Sequence, residues 1–336
     1  MNYYFCTLLS AFMDILSQIR KPVAEDLARY ERLFDSVLDH EDDFLGRALQ
    51  YVRSRKGKMM RPLLVLLIAR ECGAIGEKAL HSAVTLELLH TASLVHDDVV
   101  DESNERRGQA SVNAVYGNQI SVLVGDYLLS KSLQEAAFTG SLRIVDIISR
   151  LGGTLSEGEI FQIANIRSEQ ISEEAYFRII DHKTAALFAA CAELGALSAD
   201  AGEDFIEKAR RFGEIVGICF QIRDDIFDYY SNSEIGKPTG RDMAEGKLTL
   251  PVIYALNSTN DAAMLALADK VKKGEADRAE IETLIAFAKQ NGGIEYAERK
   301  MQELRSQAYA AIASFKNEAV RKSLEQYIDF VIDRQK

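Results

Sequence analysis

Along most of the chain apolar residues return every three or four positions, as in Ala79, Val84, Leu86 and Leu89, and again in Phe205, Ala209, Phe212 and Val216. That spacing puts them on one face of a 3.6-residue helix. The two-residue alternation of a half-buried strand is scarce. The pattern predicts roughly a dozen helices with short breaks at Cys72–Gly76, Gly152–Gly153, Ala199–Gly202, Ser231–Gly246, Asn257–Asp261, Lys273–Asp277 and Asn291–Gly293. Glycine, proline and small polar residues mark these breaks. The four prolines are Pro22, Pro62, Pro238 and Pro251. No break is long or compositionally distinct enough to be a linker, and no solenoid repeat is visible. The expectation is a single all-α domain.

Composition narrows the function classes. Of 336 residues, 47% are apolar and 27% charged, which suits a globular protein with a sizeable core. The net charge of −11 weighs against a nucleic-acid partner, which needs a basic face. Cys6, Cys72, Cys191 and Cys219 show no metal-ligand or redox spacing and read as reduced thiols of a cytoplasmic protein. Residues 3–13 are apolar, but no basic residue precedes them and Asp14 interrupts them. The run is too short to cross a bilayer, so no stable membrane insertion is expected.

One internal echo carries chemistry. Residues 93–101 end in Asp97-Asp98-Val-Val-Asp101, and residues 220–228 end in Asp224-Asp225-Ile-Phe-Asp228. On a helix, positions i and i+4 share a face, and i+1 lies about 100° round. Three carboxylates in one turn repel unless cations neutralise them. Hard oxygen donors suit Mg²⁺, which takes one or two carboxylates together with water and phosphate oxygens. A single such triad reads equally well as a solvated helix end. Two of them, each preceded by an apolar turn, point to one shared site holding a diphosphate through Mg²⁺. His96 adjoins Asp97 but leaves the Asp97/Asp101 face, and it reads as structural. Cations flank the triads in sequence: Lys58 and Arg61 in the 57–62 segment, Arg106 and Arg107 after the first triad, Lys237 and Lys247 after the second. Each alone would be a surface charge; next to Gly/Pro turns and Asp clusters they suit phosphate oxygens.

At these residues the chain resembles the trans-isoprenyl diphosphate synthases, and within them the polyprenyl (octaprenyl-type) synthases. The resemblance runs from about Ile15 to the C-terminus, through residues 57–62, 87–101, 106–108, 125–129, Lys183-Thr184, 220–228 and 246–251. It implies an all-α, isoprenoid-synthase-type bundle around a deep central cavity, and a homodimer. It implies three Mg²⁺ per site bound by Asp97, Asp98, Asp101, Asp224, Asp225 and Asp228. Arg106, Lys183, Gln221, Lys237 and Lys247 would hold the allylic diphosphate (geranyl or farnesyl), with Thr184 beside it. Lys58, Arg61, His90 and Arg107 would bind isopentenyl diphosphate. The implied catalytic set is Asp97, Asp98, Asp101, Lys183, Asp224, Asp225 and Lys237. The family pattern differs at Met59-Met60, where a more polar pair is common. It takes hold near Met13, so residues 1–12 are expected to be an upstream extension or a mis-assigned start, with residues 13–336 forming the synthase domain.

Chain length follows from geometry. One helical turn is about 5.4 Å, roughly one isoprene unit. Ala92 and Ser93, one turn before the first triad, are small, where a bulky residue would stop the growing chain. The expected product is therefore longer than twenty carbons, octaprenyl or a near neighbour. The alternatives are a geranylgeranyl or farnesyl synthase, a class I terpene cyclase, and a catalytically silent partner subunit. The cyclase would lack the second Asp cluster and the Lys58/Arg61 pair. The silent subunit would have lost site residues.

Overall fold

The computed structural model describes residues 15–54, 57–106, 108–168, 170–230 and 239–334. The 1–12 extension, Arg107 and Lys237 thus lie outside the described residues. The helical pattern is borne out. A helical stretch at 15–20 and a 3₁₀ turn, Lys21–Val23, lead into α1 (Ala24–Val37), α2 (Asp43–Arg53), α3 (Met60–Cys72) and α4 (Glu77–Val100). A minimal hairpin, β1 (Glu105–Arg106) and β2 (Gln109–Ala110), precedes α5 (Val112–Tyr116), α6 (Asn118–Phe138), α7 (Leu142–Ile166) and α8 (Glu173–Ile180). A π turn, Asp181–Ala185, leads into α9 (Ala186–Ser198) and α10 (Glu203–Asp228). Then follow α11 (Arg241–Ala244), α12 (Leu250–Thr259), α13 (Ala262–Lys272), α14 (Arg278–Gln290), α15 (Gly293–Ile312) and α16 (Glu318–Asp333).

These elements form two compact units. The first takes in the described residues up to Gly152, with Leu187–Gly213 and Ala311–Tyr327. Its axis is α4, 24 residues long and buried on nearly every side from Ala79 to Val95. A helix buried on nearly all sides is a core helix. It packs against α6 and α3. In α3 every residue from Met60 to Ala69 except Arg61 is buried, and Pro62 sits in the first turn, where its missing N–H is not needed. Glycine lets α9 approach α3: a Cβ at Gly195 would stand 2.5 Å from the Val65 carbonyl oxygen.

The second unit comprises Gly153–Ala186, Glu214–Ala310 and the chain from Ile328 on. Here α14 carries a capping box, in which Asp277 accepts from the Glu280 N–H and Glu280 accepts from the Asp277 N–H. Gly240, at φ +75°, starts α11, and a side chain there would also strike Ile281 at 2.6 Å.

One expected break is absent. The Gly152–Gly153 pair lies inside α7, a continuous 25-residue helix. Glycine costs only about 1 kcal/mol against alanine in a helix. Buried Ile144, Ile147, Ile148 and Leu151 just before the pair hold this one through tertiary packing.

Candidate active site

The first unit places its acidic triad on the last turn of α4. Asp98 is buried, Asp97 half-buried and Asp101 exposed. No basic residue lies in that turn, although the macrodipole there favours cations. Stability alone does not explain the triad. The i+1 geometry turns Asp98 inward, where the β1–β2 hairpin, closed by Gly108 at φ +76°, brings Arg106 back to it. Arg106 donates from both Nε and Nη2 to Asp98 Oδ1, each at 2.8 Å. Asn113 donates to the Asp98 carbonyl at 3.2 Å, and Ser111, which caps α5, donates to the Ser103 carbonyl at 2.7 Å. The connection after α4 is therefore clamped at Ser103, Arg106 and Asn113.

A cavity of about 280 Å³ opens beside this clamp. One face of α4, including Glu87, His90, Leu94 and Asp98, lines it, together with Arg106. Arg53 also lines it, a cation without a motif around it and so invisible to motif reading. Gly57 and Met59 line the same cavity on either side of Lys58. Met59 has φ +53°, an uncommon conformation for a residue with a side chain. Lys58 is half-buried, with its carbonyl accepting from Arg20 at 2.8 Å. The Arg61 guanidinium lies over the Phe188 ring, 4.8 Å from its centroid. Ala92 and Ser93 are on another face of α4: Ala92 is buried, and Ser93 donates to the His90 carbonyl at 2.9 Å. His96 is directed at α6, with Nε2 3.2 Å from the Val122 carbonyl and 3.3 Å from the Asp126 carboxylate.

The second unit places its triad on the last turn of α10, again with no basic residue in that turn. The three carboxylates have different surroundings. Asp225 is buried, accepting from the Tyr176 hydroxyl at 2.6 Å and from Gln221 Nε2 at 2.8 Å. Burial pushes its carboxyl up to about 7 against these hydrogen bonds, with Asp224 and Asp228 adding repulsion. Burial likewise raises Asp228 and the neighbouring Asp242. Asp228 accepts the backbone N–H groups of Arg241 and Asp242, each at 3.0 Å, and so pins the start of α11. Asp224 pairs with Arg334 Nη2 at 2.6 Å. The same Nη2 also donates to the Phe220 carbonyl at 3.0 Å, and the guanidinium stacks 3.9 Å over the Phe220 ring.

A cavity of about 190 Å³ lies within this unit. It gathers Lys183, Thr184, Gln221, Asp225 and Lys247, five positions singled out from sequence and drawn from three separate segments. Thr184 donates to Gln221 Oε1 at 2.8 Å, and Lys247 pairs with Glu245 at 2.7 Å. Tyr176 and Lys272 also line the cavity. Lys272 is buried against the Ser168 and Gln170 carbonyls. Sequence reading passed over Tyr176, Lys272 and Arg334, because only tertiary pairing brings them here.

Among the described residues no three His, Cys, Asp or Glu side chains converge into a ready-made metal cage. Each triad nevertheless fits a hard cation that completes its shell with water and phosphate oxygens: carboxylates only, on a helix end, with no thiolate or imidazole among them. No helix among the described residues is long and apolar enough to cross a membrane.

The sequence model of the polyprenyl synthetase family matches residues 42–288. The octaprenyl diphosphate synthase of Haemophilus influenzae is 33% identical over 324 residues, which is 96% of this chain and 98% of that protein. Two solved structures superpose over 96% of this chain. The geranylgeranyl pyrophosphate synthase of Bacteroides thetaiotaomicron is 47% identical with a TM-score of 0.85, covering 100% of that chain. The decaprenyl diphosphate synthase of Rhodobacter capsulatus is 35% identical with a TM-score of 0.88, covering 99%.

Proposed function

Because the chain belongs to the polyprenyl synthetase family, we propose that this prenyltransferase extends an allylic diphosphate, geranyl or farnesyl, with successive isopentenyl diphosphate units to a product longer than twenty carbons. The observation that carries the reading is the second unit's cavity, where three segments bring Lys183, Thr184, Gln221, Asp225 and Lys247 together. These residues bind the allylic diphosphate, with Lys237 and Arg106 contributing. Arg106 uses two of its five N–H donors on Asp98 and keeps three for phosphate oxygens. In the first unit, His90 and the segment carrying Lys58 and Arg61 orient isopentenyl diphosphate, with Arg107.

Asp97, Asp98 and Asp101, with Asp224, Asp225 and Asp228, bind Mg²⁺, three ions to a site. When bound, the Mg²⁺ neutralises charge developing on the departing diphosphate. Lys183 and Lys247 present ammonium groups to the same charge. The allylic C–O bond breaks, and its electron pair leaves with the diphosphate. The isopentenyl double bond supplies the pair for the new C–C bond, and the proton then lost passes to the departed diphosphate.

A second reading, a geranylgeranyl product of twenty carbons, is favoured by the 47% identity to the Bacteroides enzyme. Product length decides between them. Ala92 is buried in α4, and Ala92→Phe would fill the path one turn above the first triad. The variant is expected to give a shorter product than the wild type, measured by chromatography of the dephosphorylated chains. An unchanged length would remove Ala92 from the chain-length role.

The protein acts in the cytoplasm as a homodimer in this reading. Along α6 the apolar side chains of Val122, Leu123, Leu133 and Phe138 are exposed, Leu123 by 62%, a patch suited to a second copy. Light scattering is expected to give twice the 37.4 kDa chain mass; a monomer would contradict it.

A further inference from the structure

Lys183 belongs to a π turn, a helical irregularity frequent at functional sites. Opposite it runs the C-terminal half of α7. Gly158 there lacks the Cβ that would stand 2.7 Å from His182 Cβ and 3.2 Å from Lys183 Cγ. The close approach lays the lysine stem along α7. One residue later Glu159 pairs with Lys183 Nζ, and one turn later Gln162 Oε1 accepts from it at 3.1 Å. Gln162 Nε2 in turn donates to Glu159 Oε1 at 3.3 Å, closing a three-membered network. The Glu159 side chain is only 17% exposed and that of Lys183 25%.

A carboxylate against the lysine that is to meet a diphosphate looks counterproductive, since it lowers the local positive field. The geometry points to a different purpose: we propose that Glu159 and Gln162 are positioning residues that aim Lys183 at the allylic diphosphate. An ammonium has three N–H donors in tetrahedral arrangement. Two are directed at α7, so the third direction is set. Gln162 and Lys183 both line the second unit's cavity alongside Thr184, Gln221 and Lys247, so the remaining donor serves the ligand held there. A flexible four-carbon stem is thereby held in one pose before substrate arrives, and ordering costs fall at binding.

The inference rests on the proposed role of Lys183, and the test separates the two. KM for farnesyl diphosphate and for isopentenyl diphosphate would be measured for Glu159→Ala, Glu159→Gln, Gln162→Leu and Lys183→Ala, with thermal melts alongside. Glu159→Ala is expected to raise KM for farnesyl diphosphate about tenfold, through lost alignment, and to leave KM for isopentenyl diphosphate unchanged. Glu159→Gln keeps an acceptor oxygen and is expected to restore most of the loss; Gln162→Leu should move the same constant in the same direction. If Lys183→Ala raises that KM while Glu159→Ala and Gln162→Leu do not, the positioning role is overturned and the lysine's role stands. If Lys183→Ala itself leaves it unchanged, the assignment of Lys183 falls. Should Glu159→Ala fail to fold, Gln162→Leu with a wild-type melt decides the matter.

Discussion

Asp101→Asn is expected to lower kcat about a hundredfold or more without lowering the melting temperature. Asp101 is exposed and closes α4, its backbone N–H reaching the Asp97 carbonyl at 2.8 Å. Its carboxylate stands at the negative end of a helix dipole beside two further carboxylates. Removing the charge relieves repulsion, so the melt should stay level or rise slightly. The same split should appear in Asp97→Ala. Circular dichroism, thermal melts and turnover measured on one preparation check it; retained turnover would refute the metal-site assignment, and a collapsed fold would make the triad structural.

Arg106→Ala should behave in the opposite way and lose both stability and activity. Asp98 is buried, and two N–H groups of one guanidinium converge on a single carboxylate oxygen. Truncating the arginine leaves that carboxylate buried without its cation, at a cost of about 3 kcal/mol. Arg106→Lys returns the charge but not the two-point grip, and its stability should fall between. Chemical denaturation of the three proteins gives the order directly. Equal stability for Arg106→Ala would mean that the hairpin, not the ion pair, holds Asp98.

The two triads differ in how far the sequence could describe them. Helical spacing was enough to predict that Asp97 and Asp101 share a side while Asp98 turns away, because those are properties of one helix. The inward burial of Asp98 depends on the hairpin, whose two-residue strands are too short to leave a periodic signal. The Asp224–Arg334 pair spans 110 positions and the Asp225–Tyr176 hydrogen bond 49; no local pattern links such residues. Lys183 and Thr184 were legible as a motif, yet the π turn that presents them, and Glu159 and Gln162 behind them, arise from packing of α7 against that turn. The Gly152–Gly153 pair shows the converse, a strong local signal overridden by tertiary burial of the same helix.

The most direct test gives purified protein Mg²⁺, farnesyl diphosphate and excess isopentenyl diphosphate, then sizes the dephosphorylated product. A single product longer than twenty carbons, lost when a chelator is added, is the expected result. A twenty-carbon product would contradict the long-chain reading, and no product with any allylic primer would contradict the synthase activity itself.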